Sequence, residues 1–334
     1  MAEHESVDLW ALSDLATPWC LHVAATLRIA DHLAAGVGTI DDLARAAGAD
    51  ADSLQRVLRH LAGKGVFAEP SPGRFALNAA AQALRDDHPS RLRFGLDLEG
   101  IGGRMAGAWS SLPAAVRTGK PAYAEVFGRP FWDDLEAHPA IAASFDVLMG
   151  PAGHGIPDPD VLLTPDWAAV RHVVDVGGGT GALLAEILRA RPGLRGTLVD
   201  LPRTVARAGE TFWAAGVADR VTLVGQSFFE PLPAGADLYL LKNVLGDWPD
   251  AEAAALLRCC AIAARPAGKI VVLGGISPDD EGSAPSPELL MLVLVGGGAR
   301  SLAEFRALAR AAGLAVAAAG QQPSGRFVVE CSAL

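Results

Sequence analysis

Residues 175–188 read DVGGGTGALLAEIL, and this stretch decides how the rest of the chain is read. An apolar run over 170–176 ends in three successive glycines, and 183–191 has the spacing of a helix. Where a buried strand turns through glycine into a helix, the backbone can approach a ligand closely. A β-carbon at Gly177, Gly179 or Gly181 would obstruct that approach. Asp200, in LVDLP at the end of the next predicted strand, lies 23 residues beyond Gly177 and is suitably placed to accept both hydroxyl hydrogens of a ribose. The fingerprint alone leaves the nucleotide open, because Gly177, Gly179 and Ala182 also satisfy the dinucleotide pattern with alanine in its third place.

Downstream the texture alternates. Strands are predicted at 197–199, 221–224, 238–241 and 269–273, with helices at 203–215 and 251–264. Such alternation implies a parallel sheet covered on both faces, with ligands beyond the strand C-termini. Upstream, GPAGHGIPDPDVLLTPDW (150–167) reads as a domain boundary. Before it, 90–165 looks helical, with Pro113, Pro121, Pro130 and Pro139 marking breaks and Pro139 opening a helix to Met149. The first ninety residues predict a helix over 19–33, a capped helix opening at Thr39 in TIDD, a helix over 51–64, and short strands at 66–69 and 74–77 around PSPG.

Helix, helix and wing suggest either DNA recognition or a dimerisation scaffold. Between Thr39 and Leu77 five acids (Asp41, Asp42, Asp50, Asp52, Glu69) cancel five bases (Arg45, Arg56, Arg59, Lys64, Arg74), so no basic reading face is available. A net charge of −10 argues equally against a nucleic-acid partner. LLMLVLV (289–295) is far too short to span a membrane, and MAEHESVDLW lacks the basic start of an export signal. Cysteines at 20, 259, 260 and 331 form neither a metal motif nor a disulfide framework, so the expected location is cytoplasmic and no metal is expected.

DVGGGTG, DLP at 200–202, GQSFFEPLP at 225–233 and LLKNVLGDWPD at 240–250 together resemble the ordered motifs of the caffeate-type S-adenosylmethionine-dependent O-methyltransferases, including bacterial natural-product tailoring members. WDDLEAHPAIAASFDVLM (132–149) resembles that family's substrate helix, and LVLVGGGARSLAEFRALARAAGL (292–314) its late motif. The resemblance implies an α/β fold: a mainly helical, winged-helix dimerisation domain (1–95), a helical substrate-pocket and connecting region (96–165), and a Rossmann-like class I methyltransferase domain (166–334) with a seven-stranded sheet. It also implies a homodimer that binds S-adenosyl-L-methionine or S-adenosyl-L-homocysteine and a small aromatic or polycyclic substrate. Carried over by position, Asp175, Gly177, Gly179 and Gly181 face the methionine moiety, Asp200 the ribose, Ser227 and Phe228 the adenine, and Leu201 is a further cofactor-binding residue. Lys242 and Trp248 border the cofactor, while Phe145, Met149, Gly246, Met291 and Val295 line the substrate pocket. Plain core packing explains the helical spacing of the apolar residues among these nearly as well.

One departure bears on chemistry. Where the family usually reads VLHDWxD, with a histidine that removes the acceptor's proton, this chain has Gly246; where it usually reads GGxERT, with a glutamate that orients the histidine, it has Ala299. A positioned base is worth about 10²–10⁴ in rate. Orientation alone lowers a barrier by about 7–11 kcal/mol, which keeps methyl transfer feasible. Asp247 and His154 are the remaining candidates for proton transfer; His22 and His32, ten residues apart near the N-terminus, suit packing or a partner's pocket. Three functions stay open: methyl transfer driven by proximity, a non-methylating reaction such as hydroxylation coupled to decarboxylation, cyclisation or rearrangement, and binding without turnover.

Overall fold

Thr39 and Asp50 each cap a helix with a side-chain oxygen. Thr39 accepts from the Asp42 amide and opens Ile40–Ala47; Asp50 accepts from the Ser53 amide and opens Ala51–Gly63. Gly48 ends the first helix at φ +64°, as a left-handed C-terminal residue should. In the computed structural model these helices belong to one of two units. One unit takes the chain up to Gly107 and the stretch that begins at Leu135; the other takes Ala108–Asp134 and the C-terminal part of the chain. The structure describes residues 7–149, 158–163, 167–278 and 285–334.

In the first unit Ile29, Leu43, Leu54, Leu58 and Leu61 bury against Phe67 and Phe75 of a hairpin, β1 (Phe67–Ser71) and β2 (Arg74–Leu77). The single helix expected over 19–33 is two helices, Ala16–Thr26 and Ile29–Ala34, because Arg28 adopts the left-handed conformation at φ +53°. Apolar spacing runs through this break and hides it. Four of the five basic side chains are paired: Arg45 with Asp42, Arg56 with Asp52, Arg59 with Glu69 and Lys64 with Asp14. Helix Pro139–Met149 packs on Leu92–Leu96, and its Ser144 hydroxyl accepts the Ile101 amide at 2.8 Å. Pro113, expected as a break, lies instead in the first turn of Leu112–Thr118, where its missing N–H costs nothing.

The second unit is built on seven strands: β3 (His172–Val176), β4 (Arg195–Asp200), β5 (Val221–Gly225), β6 (Leu238–Lys242), β7 (Lys269–Leu273), β8 (Leu314–Gln321) and β9 (Phe327–Ala333). Their spatial order is β8-β9-β7-β6-β3-β4-β5, parallel from β7 to β5 and antiparallel at the final hairpin. Alternate residues of each strand feed opposite faces. Val174, Tyr239 and Val272 pack with the helices Asp250–Ala263 and Leu302–Ala311, whereas Val173, Leu238 and Val271 pack with Ala182–Ala190 and Pro202–Ala214. Strand order reverses between β3 and β6, so a crevice opens beyond their carboxyl ends.

Candidate functional site

The glycine turn after β3 is forced by its neighbours. Gly177, Gly179 and Gly181 have φ of +70°, +61° and +81°. A β-carbon on Gly177 would stand 2.8 Å from Val244, one on Gly178 2.4 Å from the Asp175 carboxylate, and one on Gly181 2.2 Å from the Phe212 ring. A β-carbon on Gly179 would meet nothing within 4 Å, so that glycine faces open space. The Gly179 amide donates to Asp200 Oδ2 and the Leu201 amide to Asp200 Oδ1, each at 2.8 Å, which fixes the carboxylate at the end of β4. Burial raises the Asp200 pKa against these two hydrogen bonds.

Asp175 is buried on β3, and neither of its carboxylate oxygens has a hydrogen-bond partner among the described residues. Burial pushes its pKa to about 7, and the positive charge of Lys242 at the end of β6 opposes that rise. Burial lowers the Lys242 pKa while Asp175 raises it. The loop after β5 brings in Ser227, whose hydroxyl accepts the Phe229 amide at 3.3 Å, and Phe228. Phe228 packs edge-on to Trp248 at 5.8 Å between ring centroids; Trp248 in turn stacks with Trp132 at 6.1 Å. Through Phe131 this run of rings reaches Tyr123.

Beyond β6, Leu245–Asp247 form one turn of 3-10 helix. A β-carbon on Gly246 would make ordinary contacts, 3.6 Å to the Gly275 Cα and 3.9 Å to the Gly298 carbonyl oxygen, so position 246 lies beside the segment that carries Ala299. Gly297 has no such room: its β-carbon would lie 2.1 Å from the Gly246 carbonyl oxygen. Burial alone lifts the Asp247 carboxyl to about 7.

The structure thus gathers Asp175, Gly177, Gly179, Gly181, Asp200, Leu201, Ser227, Phe228, Lys242, Gly246, Asp247 and Trp248 around the strand C-termini of one unit. Met291 lies on helix Pro285–Leu294, and the Val295 amide donates back to its carbonyl at 2.9 Å. Phe145 and Met149 lie on helix Pro139–Met149 of the other unit. His22 is accounted for by a 2.7 Å contact between its Nδ1 and the Leu96 carbonyl. His154 lies outside the described residues. Arg300 is a residue that sequence reasoning passed over. It is buried, and its guanidinium donates to the carbonyls of Leu245 and Trp248 and to the Asp250 carboxylate. The available signal was the arginine of GGGARS, two residues beyond the last glycine of the run.

A turn that cradles a ligand on backbone, a carboxylate held at the next strand end and an aromatic wall define a class I S-adenosylmethionine-binding enzyme. Residues 109–315 match the family model for the O-methyltransferase domain, and residues 10–87 match the model for the O-methyltransferase dimerisation domain. A 2,7-dihydroxy-5-methyl-1-naphthoate 7-O-methyltransferase of Streptomyces carzinostaticus is 46% identical over 94% of each chain. Aclacinomycin 10-hydroxylase RdmB of Streptomyces purpurascens is 42% identical, over 92% of this chain and 83% of its own length. Among solved structures, the O-methyltransferase NcsB1 from neocarzinostatin biosynthesis, in complex with S-adenosylmethionine and 2-hydroxy-5-methyl naphthoic acid, superposes with a TM-score of 0.90. It is 44% identical and covers 99% of this chain and 100% of its own. The chain belongs to the S-adenosylmethionine-dependent O-methyltransferase family. Among its described residues no helix is long and apolar enough to cross a membrane, and no cluster of metal-ligating side chains occurs.

Proposed function

We propose that this protein, acting as a cytoplasmic homodimer, methylates a hydroxyl of a polycyclic aromatic natural product of the hydroxynaphthoate type, and that it does so chiefly by holding the acceptor in line. The observation that carries this reading is the combination of an intact cofactor cradle with Gly246 and Ala299 at the two positions where the family usually has its base and the base's partner. The residues present suit the cofactor. Asp175 offers a buried carboxylate without a partner, Gly179 leaves open space above the turn, and Asp200 is fixed where a ribose would meet it. When bound, S-adenosylmethionine supplies an electrophilic methyl group. Asp175, Gly177, Gly179, Gly181, Asp200, Leu201, Ser227, Phe228, Lys242 and Trp248 would hold it; Gly246, Met291 and Val295 would line the acceptor side.

Proton removal is then the weaker contribution. Asp247, with a carboxyl near 7, is the titrating group that this loop retains, and it is half ionised close to neutrality. An acceptor whose hydroxyl is already acidified by a neighbouring carboxylate or quinone carbonyl needs it least.

The deciding experiment incubates the enzyme with S-adenosylmethionine and a panel of hydroxynaphthoates, and measures S-adenosylhomocysteine together with product. Equal amounts of the two are expected. Because a 42% identical relative is named as a hydroxylase, product formed without S-adenosylhomocysteine is the outcome that rejects methyl transfer.

A further inference from the structure

Arg300 pairs with Ile276 in a short parallel bridge, and its own amide donates to the Gly275 carbonyl at 2.9 Å. From this anchored backbone its side chain reaches back across the acceptor loop. Nη1 donates to the Leu245 carbonyl at 3.0 Å, Nη2 to the Trp248 carbonyl at 2.7 Å and Nε to Asp250 Oδ1 at 2.9 Å. The two carbonyls bracket Gly246 and Asp247. The arginine side chain is 9% exposed while that of Asp250 is 80% exposed, so the charge is drawn inward to the loop, not outward to its counterion. Two further contacts fix the same turn: Gly297 lies tight against the Gly246–Trp248 backbone, and Gly275 lies tight against the Gly246 amide.

We propose that Arg300 is a positioning residue for methyl transfer: it staples both ends of the Leu245–Trp248 turn and thereby sets where Gly246 and Asp247 face the acceptor. The family's GGxERT carries an arginine at the same place, so the guanidinium does not replace the glutamate; with histidine and glutamate absent, it is the charged side chain by which this segment still holds the loop backbone. A planar fork with donors at three points suits this task; a lysine ammonium cannot hold both carbonyls and the carboxylate in one geometry. The inference rests on the acceptor loop proposed above, and its test separates the two ideas by including a readout that needs no turnover.

Arg300→Lys and Arg300→Met are compared with the parent enzyme by amide hydrogen exchange, by calorimetric cofactor affinity and by kcat on a hydroxynaphthoate. The Asp247 and Trp248 amides, bonded to the Val244 and Leu245 carbonyls, should exchange at least about tenfold faster in both variants, while β6 and β7 keep their protection. kcat should fall about tenfold in the lysine variant and about 100-fold in the methionine variant, with cofactor Kd changed less than about threefold. Should the methionine variant fail to fold, the lysine variant decides by the same criteria. Unchanged exchange at 247–248 overturns the proposal. So does a lowered melting temperature with kcat per folded molecule unchanged, or a loss of cofactor affinity in the same proportion as kcat. Absence of methyl transfer by the parent enzyme rejects the proposed function instead, and the exchange comparison still stands.

Discussion

Two glycine-rich regions meet at the crevice, and they are glycine-rich for different reasons. In the turn after β3, backbone angle and neighbours exclude any side chain at Gly177 and Gly181. On the acceptor side, Gly297 is constrained by its neighbours alone, and Gly246 has room for a β-carbon and does not have the left-handed φ that favours glycine. The fold therefore dictates glycine in the first region and merely permits it at Gly246. The charges divide in the same way. Asp175, Asp200 and Lys242 gather on the cofactor side, while the acceptor loop keeps Asp247 as its raised carboxyl, with the Arg300 guanidinium turned onto the loop backbone. Holding a ligand and moving a proton are separable tasks, and this chain is built for the first.

The contrast breaks most visibly at the glycines. Gly181→Ala is expected to destabilise the fold by about 3–5 kcal/mol, because it combines left-handed strain with a 2.2 Å approach to Phe212. Gly246→Ala should stay within about 1 kcal/mol. Denaturant unfolding of both variants checks this, and equal losses would erase the distinction. Asp200→Ala comes next: losing charge-assisted hydrogen bonds to a ribose should weaken cofactor binding at least about 100-fold by calorimetry, and the Gly179 and Leu201 amides left without their acceptor should also lower stability by about 1–3 kcal/mol. Undiminished binding would take Asp200 out of the site.

Much of this was legible beforehand. The turn, Asp200 and the parallel core strands announce themselves because buried strands are apolar and the bends between them need glycine. The final hairpin did not. LAVAAAGQ over Leu314–Gln321 is alanine-rich, a composition that favours helix, and only pairing with β9 makes it a strand. Arg28 broke a helix without any proline or glycine to mark it. Arg300 escaped because its role lies in three hydrogen bonds to residues fifty or more positions earlier, which no local pattern encodes.

The next test restores what the acceptor side lacks. With room at 246 and position 299 exposed nearby, Gly246→His combined with Ala299→Glu should fold normally and raise kcat about tenfold or more on a weakly acidic phenol. On a phenol acidified by a neighbouring carboxylate the gain should be smaller. A uniform fall in rate on both acceptors, with folding intact, would mean that the space at 246 is used by the substrate itself.

The smallest expected effect concerns protons on the cofactor side. Asp175 is raised by burial to about 7, from an ordinary value near 4 in the unfolded chain, so between those limits the folded protein binds more protons than the unfolded one. Its contribution to stability is accordingly full below about pH 4 and is lost as pH rises through about 7, and Asp175→Asn should flatten that part of the stability profile. The sign then carries over to binding. A cofactor ammonium placed against this carboxylate, which has no hydrogen-bond partner, favours its ionised form, so binding near pH 6.5 should release up to about three-quarters of a proton, and affinity should climb with pH until about 7. Calorimetry in two buffers of different ionisation enthalpy measures that fraction directly. Asp200 is also raised by burial, so the release must shrink in Asp175→Asn for it to be assigned to Asp175; a release that persists undiminished in that variant places the cofactor's positive charge elsewhere.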